Sequence, residues 1–171
     1  MAFQAHISIK GKKQGQFKGE GIQDKRKDKF MPVLSFNMGV QSPRDIATGQ
    51  ASGKRQFAPV KFVKEWGAAS PQLLTACATN EGLQEVVVEF TKTNPNGEEY
   101  VYQTVKLTDA TVASVNRFTG QEGGAEGAST SRHTSAVDTL ELEEVSLTFR
   151  KIEVEDKDGK TMFADDWQTT M

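Results

Sequence analysis

The chain has 171 residues, and 21 Lys and Arg against 23 Asp and Glu give a formal net charge of −2. This balance argues against a protein that binds nucleic acid over its whole surface, and the single cysteine excludes an internal disulfide framework. The length is enough to bury a core without disulfides or metals, so we expect one domain over residues 1–171.

The dominant apolar periodicity along the chain is two, which predicts β-strands. In residues 30–40, one parity carries Leu34, Phe36 and Met38, which we expect in the core. The opposite parity is mixed and includes Ser35 and Asn37. Further strands are predicted at 3–10, 60–64, 85–92, 98–107, 110–118, 145–155 and 161–164.

Turn signals predict two hairpins. Asn-Gly at 96–97 joins the strands at 85–92 and 98–107. Asp-Gly at 158–159 predicts a C-terminal hairpin over 145–164. Inside strand 145–155 the apolar parity changes near Arg150 and Lys151, which predicts a β-bulge at that point.

Residues 70–80 predict one short α-helix. Ser70 is the expected N-cap, Pro71 the first helical residue, and Asn80 a terminator. Two turns are too few for a helix that stands by itself, so it must pack on the sheets. The predicted fold class is therefore mainly β, an antiparallel β-barrel or two-sheet sandwich with one short helix.

Two stretches, 39–56 and 119–136, predict long loops without apolar anchors. The second is rich in Gly, Ser, Thr and Glu. Long loops in a compact domain are usually functional or disordered.

The residue types that catalyse reactions or bind metal ions are not spaced as they are in catalytic or metal sites. His6 and His133 are far apart in the sequence, and His, Cys and acidic residues do not cluster at metal-ligand spacing. Cys77 lies on the apolar face of the predicted helix, which favours the role of a small buried side chain. We therefore expect no enzyme, no metal and no cofactor.

The Lys-rich segment 10–29 favours a solvated loop, with an electrostatic contact to an acidic partner as the alternative. No aromatic residues are interleaved with these lysines as a base-stacking platform, so we expect no nucleic acid. We also expect no stable membrane insertion, because no apolar run approaches the length of a span.

Residues 69–79, Ala-Ser-Pro-Gln-Leu-Leu-Thr-Ala-Cys-Ala-Thr, resemble the Hcp (haemolysin-coregulated protein) family. The order and spacing of several segments carry the resemblance, which covers nearly the whole chain. The segment before Trp167 departs from the pattern, because the family more often has glycine before this aromatic residue. The other similar segments are 3–15, 33–39, 60–64, 107–115, 144–152 and 162–167.

The resemblance implies a structural protein of the bacterial type VI secretion system. Hcp-like proteins form hexameric rings that stack into the inner tube, which a contracting sheath expels, and some carry effectors in the ring lumen. The implied partners are further copies of the chain, the sheath, baseplate and spike proteins, and effectors. The implied localisation is the bacterial cytoplasm, followed by secretion without a cleavable signal peptide.

Two groups of residues are candidates for these roles. Ser35 and Asn37 are candidates for a lumen surface that faces effectors, with an ordinary solvated strand face as the alternative. Loop 39–56 is the candidate for contact with the adjacent ring, through Gln41, Ser42, Pro43, Arg44 and Asp45. Two other functions stay open, a phage-type tail tube protein and a β-barrel that binds a small ligand.

Overall fold

The computed structural model describes residues 4–20, 28–119 and 141–167. The predicted loop 119–136 lies outside the described residues, apart from Thr119 at the end of a strand. The helix is α1 (Ser70–Ala78). The strands in the described ranges are β1 (Gln4–Gly11), β2 (Gly15–Gln16), β3 (Met31–Val33), β4 (Ser35–Asn37), β5 (Val40–Gln41), β6 (Gln56–Phe57), β7 (Val60–Glu65), β8 (Gly82–Thr93), β9 (Glu99–Thr119), β10 (Glu141–Thr148), β11 (Lys151–Asp156) and β12 (Thr161–Asp166).

The main sheet is antiparallel and closes on itself. Its strands follow the order β2-β1-β8-β9-β10-β7-β4, and β3 pairs with β1. Because β3 and β4 are consecutive, the chain at 31–37 connects β1, which lies next to one end of this order, to β7, which lies next to the other end. The predicted mainly β, antiparallel fold with one helix is confirmed, and its closure is that of a barrel.

The predicted strand at 30–40 is wrong as one continuous strand, because it bends at Leu34 and is interrupted again at residues 38–39. The bend separates β3 from β4, and the apolar parity changes with it. Met31 and Val33 are buried, whereas Leu34, expected in the core, is 52 % exposed. Phe36 is half-buried against the core, and its ring meets Phe90 edge-on with centroids 5.2 Å apart.

The two strands predicted at 98–107 and 110–118 form one strand, β9. Asp109, with a φ of 51°, lies between them. Along one edge, β9 pairs with β8. Along its other edge, it pairs first with β11, over 103–108, and then with β10, over 111–119. The predicted change of parity is present, because the odd-numbered Leu147 and Phe149 are buried before the break and the even-numbered Ile152 is buried after it. The strand is interrupted at Phe149 and Arg150, and a register shift falls earlier, between Ser146 and Leu147.

The helix α1 begins differently from the prediction. Its N-cap position is Ala69, and the Glu20 carboxylate accepts the Ala69 N–H at 2.8 Å. Ser70, the predicted cap, lies inside the helix. Asn80 follows the helix with a φ of 54°, as expected for a terminator. Leu73 and Ala76 face the core, and Cys77 packs against it half-buried.

The core fills the inside of the barrel and the space under α1. Both predicted hairpins are present, and the Asn94 side chain accepts the N–H groups of Asn96 and Glu98 in the first of them. None of the helices in the described ranges combines the length and apolar character that a membrane crossing requires. The fully buried apolar residues include Ile7, Ile9, Phe17, Met31, Phe62, Leu73, Leu83, Leu107, Leu147 and Ile152.

Candidate assembly surfaces

A two-stranded hairpin, which we call the arm (residues 39–58), extends between β4 and β7. Val40 pairs with Phe57 and Gln41 with Gln56 at its base. Further out, Arg44 and Ala51 form a bridge. The predicted long loop at 39–56 is therefore wrong in one respect, because backbone pairing makes this segment a hairpin. The expected lack of apolar anchors fits the exposure of Val40 and Ile46, and the buried Phe57 follows directly after it.

The tip of the arm is a turn organised by Asp45. The carboxylate of Asp45 accepts the Ala47 N–H at 3.0 Å and the Thr48 hydroxyl at 3.1 Å. Gly49 donates its N–H to the Asp45 carbonyl, and its φ of 72° suits glycine. This turn displays Ile46 with 103 % relative exposure, an unusual state for a large apolar side chain.

The five residues predicted for ring contact lie on the outgoing half of the arm. Gln41 is in β5, Arg44 is in the bridge and Asp45 is in the turn. The prediction missed Ile46, which the sequence marks as an isolated apolar residue followed by a polar turn. The remaining two, Ser42 and Pro43, connect β5 to the bridge.

The base of the arm is attached to the end of the described chain. The Arg55 guanidinium binds both carboxylate oxygens of Asp165 and donates to the Asp166 carbonyl at 2.9 Å. The pKa of the Arg55 guanidinium is raised above its usual value, chiefly by the hydrogen bond to Asp165. Phe57 is buried and stacks on Trp167, with ring centroids 5.7 Å apart.

A shallow cavity of about 310 Å³ lies beside this attachment. It is lined by both strands of the arm base, including Val40 and Phe57. Val40 is 54 % exposed, so the arm base also presents apolar surface.

The strand β12 is the outer strand of the C-terminal hairpin. It pairs with β11 and with no other strand of the described residues, which leaves its outer edge open to strand pairing before Asp166, whose carbonyl accepts the Arg55 guanidinium. Met162 and Phe163 are 64 % and 45 % exposed. An open backbone edge next to apolar side chains is a site at which another chain can pair.

The two predicted lumen residues, Ser35 and Asn37, are both exposed and lie on β4. Their register partners on β7 are Val63 and Lys61. Because only Met38 separates β4 from the arm, the two residues lie near the base of the arm.

The most buried polar cluster is structural in character. Lys64 is fully buried, and its ammonium contacts Glu143 at 2.7 Å and Glu20 at 3.0 Å. Ser70 donates its hydroxyl to Glu143 at 2.8 Å, and Arg117 approaches the same carboxylate at 3.6 Å. Within the described part of the chain, His, Cys, Asp and Glu form no group of three that could hold a metal ion.

Comparisons with known proteins agree on one family. Residues 6–155 match the family described as "Type VI secretion system effector, Hcp". A protein of Pseudomonas aeruginosa, described as "Major exported protein", is 32 % identical over 180 residues, which cover 99 % of this chain and 98 % of that protein.

Solved structures are similar over almost the whole chain. A crystal structure of an Hcp protein has a TM-score of 0.85 at 26 % identity, covering 99 % of this chain and 100 % of that one. The Hcp1 protein of E. coli pathovar EAEC 042 has a TM-score of 0.80 at 25 % identity, with 97 % and 99 % covered. The secreted protein Hcp3 of Pseudomonas aeruginosa has a TM-score of 0.72 at 26 % identity, with 98 % and 100 % covered.

Proposed function

The chain belongs to the Hcp family of secreted type VI secretion proteins, and we propose that it is a structural subunit of the inner tube. In this proposal residues 1–171 act as one tube domain that forms hexameric rings, and the rings stack. Contraction of a sheath then expels the stack from the cytoplasm, without a cleavable signal peptide and without catalysis by the chain. The observation that carries the proposal is the arm with the fully exposed Ile46 at its tip.

Ring closure uses β12 in this proposal. Its open edge offers backbone hydrogen bonds, and Met162 and Phe163 offer apolar area. A contact between two different surfaces of identical chains closes into a ring when the rotation between neighbours divides a full turn. The first test is the mass of the native assembly, for which we expect six chains.

Ring stacking uses the arm. Ile46 gains apolar contact only if another chain covers it, so burial of Ile46 against the next ring stabilises a stack. The polar residues proposed to surround this contact are Gln41, Ser42, Pro43, Arg44 and Asp45.

The variant Ile46→Ser tests the stacking role. We expect intact rings by native mass spectrometry and fewer stacked rings by electron microscopy at high protein concentration. Ala58→Ser is the control, because Ala58 is also exposed but lies at the base of the arm, where its N–H donates to the Gly39 carbonyl. Stacking of Ile46→Ser at the wild-type concentration would contradict the proposal.

Effector binding is proposed for the exposed side chains of Ser35 and Asn37, as a lumen surface. Asn37→Arg adds a long cation there and is expected to abolish effector binding while the ring mass stays constant. Asn96→Arg is the control, since Asn96 is exposed in a hairpin turn at a different place in the fold. Equal effector binding by both variants would count against a lumen role for Asn37.

A further inference from the structure

The arm is held at its base by a contact between residues 110 positions apart. Arg55 lies on the returning half of the arm, and Asp165 lies on β12. The guanidinium binds both oxygens of this carboxylate and also the Asp166 carbonyl, so three hydrogen bonds fix its plane. Bidentate pairs of this kind carry geometric specificity in addition to energy.

An aromatic cluster reinforces this contact two residues further along the arm. Phe57 stacks on Trp167 at an interplanar angle of 28°, and it meets Phe149 edge-on with centroids 5.5 Å apart. The backbone of Trp167 is itself fixed, because its main-chain N–H donates to the Arg150 carbonyl at 2.9 Å. The cluster therefore connects the arm to both β12 and the end of β10.

A hairpin of two strands has little stability of its own in water. The arm pairs at two positions at its base and one bridge further out, so its direction depends on what holds the base. The Arg55 contact and the aromatic cluster supply that hold, since both join the returning half of the arm to the barrel.

We propose that Arg55, Asp165 and Trp167 are positioning residues that fix the direction of the arm for ring stacking. This inference rests on the proposed stacking function of the arm. All arm tips of a ring must meet the next ring together, and a mobile arm has to be ordered at each contact, which weakens association. Losing the Arg55 contact is therefore expected to weaken stacking and to leave ring closure unchanged.

The experiment compares Arg55→Gln with Lys54→Gln, which removes a neighbouring exposed cation from the same arm. For Arg55→Gln we expect faster amide hydrogen exchange over 40–57, unchanged exchange in the barrel strands and unchanged ring mass. The protein concentration at which stacks appear is expected to rise by at least about a hundredfold, because the cost of ordering is added for each of the six arms of a ring. Lys54→Gln should match the wild-type protein in all four measurements.

A rescue separates positioning from general damage. Asp165→Arg combined with Arg55→Asp exchanges the two charges and is expected to restore a large part of both arm protection and stacking. Trp167→Ala, which removes the stack on Phe57, should again increase exchange in the arm and weaken stacking.

The outcomes distinguish this inference from the function on which it rests. Normal stacking or normal arm exchange in Arg55→Gln, alongside a loss of stacking in Ile46→Ser, overturns the positioning role and leaves the stacking role standing. Loss of ring mass in Arg55→Gln also overturns it, because the contact would then serve the ring itself. Normal stacking in Ile46→Ser overturns the stacking role and the positioning role together.

Discussion

At the residue scale, Lys64 occupies a core position in the strand pattern although its side chain is charged. It shares the inward face of β7 with Val60 and Phe62, and all three are fully buried. The ammonium is tolerated there because Glu20 and Glu143 neutralise it and the Glu65 carbonyl accepts a hydrogen bond at 2.9 Å. The cluster ties the segment before β3 and the start of α1 to β10.

Replacing Lys64 with Met is expected to lower the free energy of unfolding by about 3–5 kcal/mol, since two carboxylates lose their partner in the interior. Lys61→Met is the control, because Lys61 is the exposed neighbour on the same strand, and a change within about 0.5 kcal/mol is expected. The measurement is denaturant unfolding at one fixed chain concentration, since assembly adds to apparent stability. Similar losses in the two variants would show that the buried cluster is not the cause.

Asp109 gives a prediction about pH. A hydrogen bond from Lys12 lowers the pKa of this carboxyl below its usual value, and charge attraction from Lys12 and Arg150 acts in the same direction. A lowered pKa in the folded state means that the carboxylate stabilises the fold above its unfolded pKa. This contribution is lost as the pH falls through the folded pKa.

Asp109→Asn isolates the charge, because asparagine also tolerates the positive φ at this position. We expect a lower free energy of unfolding at pH 7 and a difference from the wild-type protein that shrinks below pH of about 4. Denaturant unfolding across this range checks it. A difference that is constant with pH would exclude the ion pairs as the source.

At the scale of elements, glycines test how far the backbone conformation of the arm governs stacking. Gly49 and Gly53 both lie in the arm, and a Cβ at either position would meet nothing within 4 Å. They differ in backbone conformation, because Gly49 has a φ of 72° in the tip turn. Because an added side chain would clash at neither position, a difference between the two alanine variants reports the backbone strain at residue 49.

Gly49→Ala is expected to destabilise the tip turn by about 1 kcal/mol, the cost of a side chain at positive φ. The predicted result is faster hydrogen exchange over 44–51 and weaker stacking, with an unchanged thermal midpoint of the barrel. Gly53→Ala should behave as the wild-type protein does. Equal behaviour of the two variants would show that the tip turn does not govern stacking.

At the scale of the whole molecule, the free energy of the proposed stacking is the difference between the gain from small apolar contacts and the cost of association. Full burial of one isoleucine side chain is worth about 1.5–3 kcal/mol, so six arm tips contribute about 9–18 kcal/mol. Association costs about 4–15 kcal/mol or more in lost freedom. The two ranges overlap, which places stacking close to balance in dilute solution.

We therefore expect rings that survive dilution and tubes that are rare without a template such as a sheath and baseplate. Sedimentation over a series of concentrations should show a constant ring mass and few longer assemblies. Spontaneous long tubes of the untagged chain at micromolar concentration would contradict the expectation. A monomer throughout the series would contradict the ring itself.

The apolar alternation by itself determined the fold class and most of the strands, because a period of two depends on local sequence. Asn-Gly and Asp-Gly likewise predicted both hairpins, and the resemblance at 69–79 predicted the family. Among the candidate residues, the sequence placed Ser35 and Asn37 on a strand, where both are exposed. It placed the ring-contact candidates in a long loop, where the structure has a paired hairpin. Their functions are not decided by this placement.

Only the tertiary structure decided the bend at Leu34, since this bend depends on which neighbour each residue pairs with. The strand at 31–37 moves from β1 to β7 at Leu34, and that change of partner exposes a residue that alternation predicts to be buried. The arm and its contact between Arg55 and Asp165 were equally out of reach, because they join residues far apart in sequence. Near-neutral charge and one cysteine describe an ordinary domain, and it is folding that brings these distant residues together into surfaces for assembly.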